Sequence, residues 1–123
     1  MPSLRLLVVG ASQGTGALTV SAALARGHQV TAFARSPEQL TLEHASLTTR
    51  AGSFHDAAAV DAAVVGHDAV IITAHSSLAG FKENPTYVSS GIALVIEAMK
   101  RHGVPRLVVV SALGTGEISA RVT

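Results

Sequence analysis

The 123 residues predict one doubly wound α/β domain, with a parallel sheet ordered 3-2-1-4-5 between two helical layers. Three observations predict it. Short aliphatic runs at Leu4–Val9, Asp68–Thr73 and Arg106–Val110 read as strands buried on both faces. Segments with helical patterning separate the strands, so neighbouring strands must run parallel through crossovers. Three glycines follow the first run at once, in Val8-Val9-Gly10-Ala11-Ser12-Gln13-Gly14-Thr15-Gly16.

Taken in order, Leu4–Val9 is the first strand and the glycine stretch a tight turn. A helix then runs from Gly14 to Arg26, with Leu18, Ala22 and Ala25 as its apolar stripe and Gly27 as its terminator. Gln29–Ala34 alternates as a second strand, and Ser36-Pro37-Glu38-Gln39 offers a cap, a proline at the first helical position and a glutamine at the third. A short helix is expected there. Ser46–Arg50 is a polar third strand at an edge, followed by Gly52-Ser53-Phe54 and an alanine-rich helix capped by Asp56 and ending at Gly66. Asp68–Thr73 is the fourth strand, and a polar loop, Ala74–Asn84, leads to a helix from about Thr86 to His102. That helix carries Val88, Ile92, Val95, Ile96 and Met99 on one stripe. Gly103 and Pro105 end it, and Arg106–Val110 is the fifth strand, with Ser111-Ala112-Leu113-Gly114 beyond.

Glycine loses the most backbone freedom on ordering, so three so close together imply a sharp turn or a close approach. The helix after a first strand aims its free N–H groups and partial positive charge at the top of the sheet, where a diphosphate fits. Gly10 permits the turn, Gly14 lets backbone reach the pyrophosphate, and Gly16 lets helix and strand pack closely. The spacing is G-x-x-x-G-x-G. An NAD-binding fold places Asp or Glu at the end of the second strand to accept from the ribose hydroxyl; here that place reads Ala34-Arg35-Ser36, with Arg35 19 residues after Gly16. A guanidinium there pairs with a 2′-phosphate, favouring NADP, and the Ser12 hydroxyl could add to the same phosphate.

Composition excludes other classes. Nine Lys and Arg against eight Asp and Glu leave a charge of +1, no footprint for nucleic acid or anionic lipid. No cysteine is present, which removes disulfides and thiolate metal sites and suits a reducing cytoplasm. The apolar run Ala57–Gly66, broken by Asp61, is too short to span a bilayer, and MPSLRLLVVG reads as a strand instead of a signal peptide. A soluble protein without a metal site is expected.

The segments GASQGTG, ALARGHQVTAFARSPEQL, GHDAVIITA and IEAMKRHGVPRLVVVSALG resemble the atypical short-chain dehydrogenase/reductase group, with its NAD(P)H-binding, NmrA-like and biliverdin/flavin reductase members. Those members commonly show G-x-x-G-x-x-G, so the loop here is a hybrid with the tyrosine-and-lysine branch. The resemblance implies a Rossmann-like domain binding NADPH. Gly10, Ser12, Gln13, Gly14, Thr15 and Gly16 would surround the phosphates, with Arg35 and Ser36 at the 2′-phosphate. Ser53 and Phe54 stand where relatives carry an Asp for the adenine amino group. Thr73, Ala74 and His75 would line the ribose and nicotinamide side, and Ser111, Ala112 and Leu113 the nicotinamide. Ser111 matches the serine beside the reacting ring and is the catalytic candidate.

The Tyr-x-x-x-Lys pair of the other branch is absent, since Tyr87 is followed four residues later by Gly91. An epimerase is thereby disfavoured, and His75 reads first as a loop-capping residue. Two functions remain: an NADPH-dependent oxidoreductase passing hydride to a small flavin-, quinone- or carbonyl-type acceptor, and an NADP-sensing regulator of NmrA-like type. Family members continue beyond a fifth strand into a substrate-covering region, while this chain ends at Thr123. The expectation is a truncated family fold with an open fifth-strand edge, which a second copy could pair.

Overall fold

The computed structural model describes residues 3–11, 14–73, 87–110 and 117–121. The elements are β1 (Arg5–Val9), α1 (Gly14–Ala25), β2 (Gln29–Ala34), a 3-10 turn (Pro37–Gln39), β3 (Leu47–Ala51), α2 (Ala57–Val64), β4 (Ala69–Ile72), α3 (Tyr87–His102), β5 (Arg106–Val110) and β6 (Glu117–Arg121). They form one sheet ordered β3-β2-β1-β4-β5-β6. The first five strands are parallel in the expected order, while β6 is antiparallel to β5.

Each aliphatic strand feeds both layers because successive side chains alternate across the sheet. Leu6 and Val8 of β1 join Val20, Ala23 and Leu24 of α1 and Val30 and Ala32 of β2 in one core. Leu7 and Val9 face the other way, onto Phe33, Val60, Val64, Val70, Ile72, Val95 and Met99, beneath α2 and α3. Asp56 caps α2 by accepting from the Ala58 and Ala59 amides at 3.1 and 3.2 Å. Asp61 of α2 joins Arg101 and His102 of α3, at 2.7 Å to the guanidinium and 3.1 Å to the imidazole. The Arg101 hydrogen bond, then that of His102, holds the Asp61 carboxyl below its ordinary value.

Three expectations are corrected. The stripe of α1 is Gly16, Val20, Ala23 and Leu24; Ala22 and Ala25 are exposed and Leu18 is 73% exposed. The helix expected after Ser36 is one 3-10 turn, because Ser36 makes no side-chain cap bond and Leu40 already returns to extended backbone. The fifth strand is no open edge, since β6 pairs with it from Arg106↔Arg121 to Val110↔Glu117. Its backbone groups are met within the chain, which removes the reason for pairing there with a second copy. In α3, Val95 and Met99 are buried and Ile92 and Ile96 pack against the core, while the side chain of Val88 lies outside the description. Among the described residues no helix is long and apolar enough to cross a membrane.

Candidate functional site at the carboxyl ends of the strands

The strand order reverses between β1 and β4, so the connections on either side leave in opposite directions and open a crevice at the carboxyl ends. The glycine turn stands there. Gly10 has φ 83° and Gly14 φ 55°, left-handed conformations that side-chain-bearing residues rarely adopt. Gly16 is helical, and its constraint is space. A Cβ there would overlap the Gly10 carbonyl oxygen and lie 2.8 Å from Thr73 Oγ1 and 2.9 Å from Ala11 Cα. Helix α1 therefore starts with its backbone pressed on the strand that leads into it.

Two neighbours fasten the turn. The Phe33 carbonyl accepts from the Gly10 amide at 2.9 Å and from the Ala11 amide at 3.4 Å, which brings the end of β2, and Arg35 just beyond it, beside the glycines. From the other side the Thr73 amide donates to the Val9 carbonyl at 2.8 Å. The Thr73 hydroxyl is shared between the carbonyls of Val9 (2.9 Å) and Gly10 (3.1 Å). Thr73 is only 4% exposed, and its side chain supports the turn. The sequence reading missed that role; the signal was a lone hydroxyl ending an aliphatic strand.

The first turn of α1 holds no acidic residue. Its opening amides lack partners within the helix, and Gly14 and Thr15 are exposed. A turn with two left-handed glycines, a third with no space for a side chain, and unopposed amides fits a diphosphate. Arg35 is exposed and Ser36 half-buried, and no carboxylate occupies the end of β2. Gly52 binds the Ala34 carbonyl through its amide at 3.0 Å, placing the third-strand loop beside the second.

The Phe54 ring is buried in the α2–α3 core against Gly91, where a Cβ would come within 2.6 Å of the ring tip and overlap its edge. Ser53 is half-buried, its hydroxyl accepting from the His55 amide at 3.1 Å. His55, unremarked in the sequence, sets Nε2 3.3 Å from Ser90 Oγ on α3. Ser12, Gln13, Ala74, His75, Ser111, Ala112 and Leu113 lie outside the described residues. Among the described residues no group of three or more acidic or histidine side chains is placed to hold a metal.

Solved structures share the fold. The Bordetella bronchiseptica enzyme WbmH, solved with NAD+, is 26% identical with a TM-score of 0.72, over 86% of this chain and 38% of that one. WbmG from the same organism, solved with NAD and UDP, has a TM-score of 0.76 at 21% identity, over 88% and 37%. A short-chain dehydrogenase/reductase from Veillonella parvula has a TM-score of 0.68 at 18% identity, over 88% and 47%. The chain thus spans less than half the length of each. The model of the NAD(P)H-binding family matches residues 10–122, from the first glycine of the turn through β6. The chain, a Rossmann-like α/β fold, belongs to the NAD(P)H-binding family.

Proposed function

We propose that this chain is the cofactor-binding part of an oxidoreductase that prefers NADP(H) and reduces a small flavin-, quinone- or carbonyl-type acceptor. The observation that carries the proposal is the fastening of the glycine turn to Phe33, two residues before an exposed arginine where an NAD-specific site would present a carboxylate. Dinucleotide binding follows from the family; the choice of NADP(H) is our reading, and the NAD complexes of WbmH and WbmG stand as its contrast.

In this reading the amides of Gly14, Thr15 and Gly16 hold the diphosphate. The Arg35 guanidinium pairs with the 2′-phosphate, aided by the Ser36 hydroxyl, which is not used to cap the turn after it. Thr73 keeps the turn in place by holding its carbonyls back. The bound nicotinamide supplies the hydride. Ser111, next after the last residue of β5, is proposed to hydrogen-bond beside the reacting ring. The cysteine-free sequence suits the reducing cytoplasm where we place the protein.

The test is titration of the chain and its Arg35→Asp variant with NADPH and NADH. The substitution should weaken NADPH by about 10–100-fold, the loss of a charge-assisted pair plus a new repulsion, and NADH by less than about threefold. Equal losses would remove Arg35 from the cofactor's selection. A panel of flavin, quinone and carbonyl acceptors then separates turnover from tight binding without oxidation, the behaviour of an NADP-sensing regulator.

A further inference from the structure

We infer that the amino-terminal edge of the sheet, at the far end of the strands from the glycine turn, carries a second ligand site that takes a small oxyanion of the phosphate-ester kind. A cavity of about 270 Å³ opens there, lined by Arg5, Gln29, Thr31, Ser46, Thr48 and His67 among others. Arg5 opens β1 and Gln29 opens β2, Ser46 stands just before β3, and His67 lies two residues before β4. Three adjacent strands and the loop into a fourth thus contribute to one hollow.

The hollow exists because α2 is short. It ends at Val64, and the chain turns through Gly66, at φ 81°, into His67, leaving the amino-terminal part of the β2–β3 face uncovered. Sheet parity makes the character of that face informative. Arg5 shares a face of β1 with Leu7 and Val9, and Thr31 shares a face of β2 with Phe33, all three of these apolar partners being buried in the core. Thr31 stands opposite Thr48 on β3, and Arg5 opposite Gln29 on β2. On β1 and β2 the same face is therefore apolar toward the carboxyl ends and polar toward the amino ends, while β3 carries Thr48 and Arg50 on it.

The groups converge. The Arg5 guanidinium reaches over Gly66, its Nη1 3.9 Å from where a Cβ there would stand. His67 is braced at both nitrogens, Nδ1 3.3 Å from the Val64 carbonyl and Nε2 2.9 Å from Thr31 Oγ1. The neutral tautomer that meets both has Nδ1–H donating to Val64 and Nε2 accepting from the threonine. Among the described residues no carboxylate lines the cavity. Asp68, next to His67, accepts from the Arg5 amide at 2.8 Å. The donor set of one guanidinium, one amide and the Ser46 and Thr48 hydroxyls suits phosphoryl or carboxylate oxygens, with the Thr31 hydroxyl held by His67, and the volume admits an ester group beyond a bare phosphate. The carboxyl end of α2, which points this way and would repel an anion, has its Val64 carbonyl covered by the His67 amide and ring.

Burial, more than the adjacent Arg5, keeps the His67 ring's pKa below its ordinary value, with the Asp68 carboxylate opposing. The residues facing it from β2 and β3 are uncharged. An anion in the cavity would favour the charged ring, so ligand and proton should bind together.

Site-resolved NMR of the amides and the His67 ring, at constant ionic strength, tests the site with inorganic phosphate and with glycerol phosphate. Saturable shifts at Arg5, Thr31, Ser46 and His67, with a dissociation constant of about 1 mM or tighter for the ester, are expected. A rise in the His67 pKa should accompany them, and Arg5→Gln should weaken binding at least tenfold while leaving the fold intact. Should that variant unfold, Thr48→Val at the exposed edge strand supplies the same reading. Equal affinity for the two probes would assign the site to free phosphate. No saturable shift, shifts confined to the glycine turn, or undiminished binding in both variants would overturn the site.

Discussion

Replacing Gly16 by alanine sets two effects of opposite sign against each other, and the structure says which wins. In an unconstrained helix interior the change stabilises by about 0.5–1 kcal/mol, through lower unfolded-state entropy. Here the added methyl overlaps the Gly10 carbonyl and crowds Thr73 Oγ1 and Ala11 Cα. Two of those three atoms are backbone, so no flexible side-chain end can swing away; the turn must lift off the helix. Overpacking of this kind costs about 1–3 kcal/mol, and lifting Gly10 also strains the Thr73 hydroxyl bond, worth about 0.5–1.5 kcal/mol. The net expectation is a loss of about 1–3 kcal/mol, within the 5–15 kcal/mol typical of a domain, so the variant still folds. Urea unfolding measures the loss, and NADPH titration measures the displaced turn as weakened affinity. Gly14→Ala is the comparison: its Cβ meets nothing within 4 Å, so its cost is only the left-handed backbone, about 1–2 kcal/mol offset by the entropy gain. If Gly16→Ala were as stable as the parent and bound NADPH as tightly, the close-approach argument would be wrong.

Thr73→Val keeps the shape and removes the hydroxyl shared by two carbonyls; a loss of about 1–2 kcal/mol in urea unfolding is expected, with Thr73→Ser restoring most of it. Asp56→Ala removes both bonds to the first turn of α2 and should cost about 1 kcal/mol, whereas Asp56→Asn should stay within a few tenths. The pKa of His67 is depressed in the folded chain, so on acidification the unfolded chain protonates first. Its effect on stability is absent above the ordinary value of 6.5, and stability falls with pH below it; His67→Gln should flatten urea midpoints over that window. Asp61 is also depressed, from 3.8, so its contribution holds above that value and fades as pH falls below it, a separate window that should survive the His67 substitution.

The strands were legible because both faces of β1, β4 and β5 need apolar partners, which leaves continuous aliphatic runs that few other structures produce. The glycine turn was legible from spacing and context. The inner face of α1 was not, because nearly every residue from Gly14 to Ala25 is small or apolar and periodicity alone selects no side. Gly16 would have settled it: positions four, seven and eight residues on are Val20, Ala23 and Leu24, the stripe observed. The burial of Phe54 was not legible because it follows a site loop in sequence, while Gly91, far along the chain, makes the slot that takes its ring. Strand β6 escaped because Glu117–Arg121 is short and mostly polar, and its pairing depends on what β5 leaves unmet.

Thr73 joins the two halves of the sheet where their connections diverge. A single oxygen bridges the end of one strand and the bend that leaves its neighbour, so the mouth of the crevice cannot widen without breaking that bridge. A guest entering there meets a threshold held by that one bond-sharing oxygen.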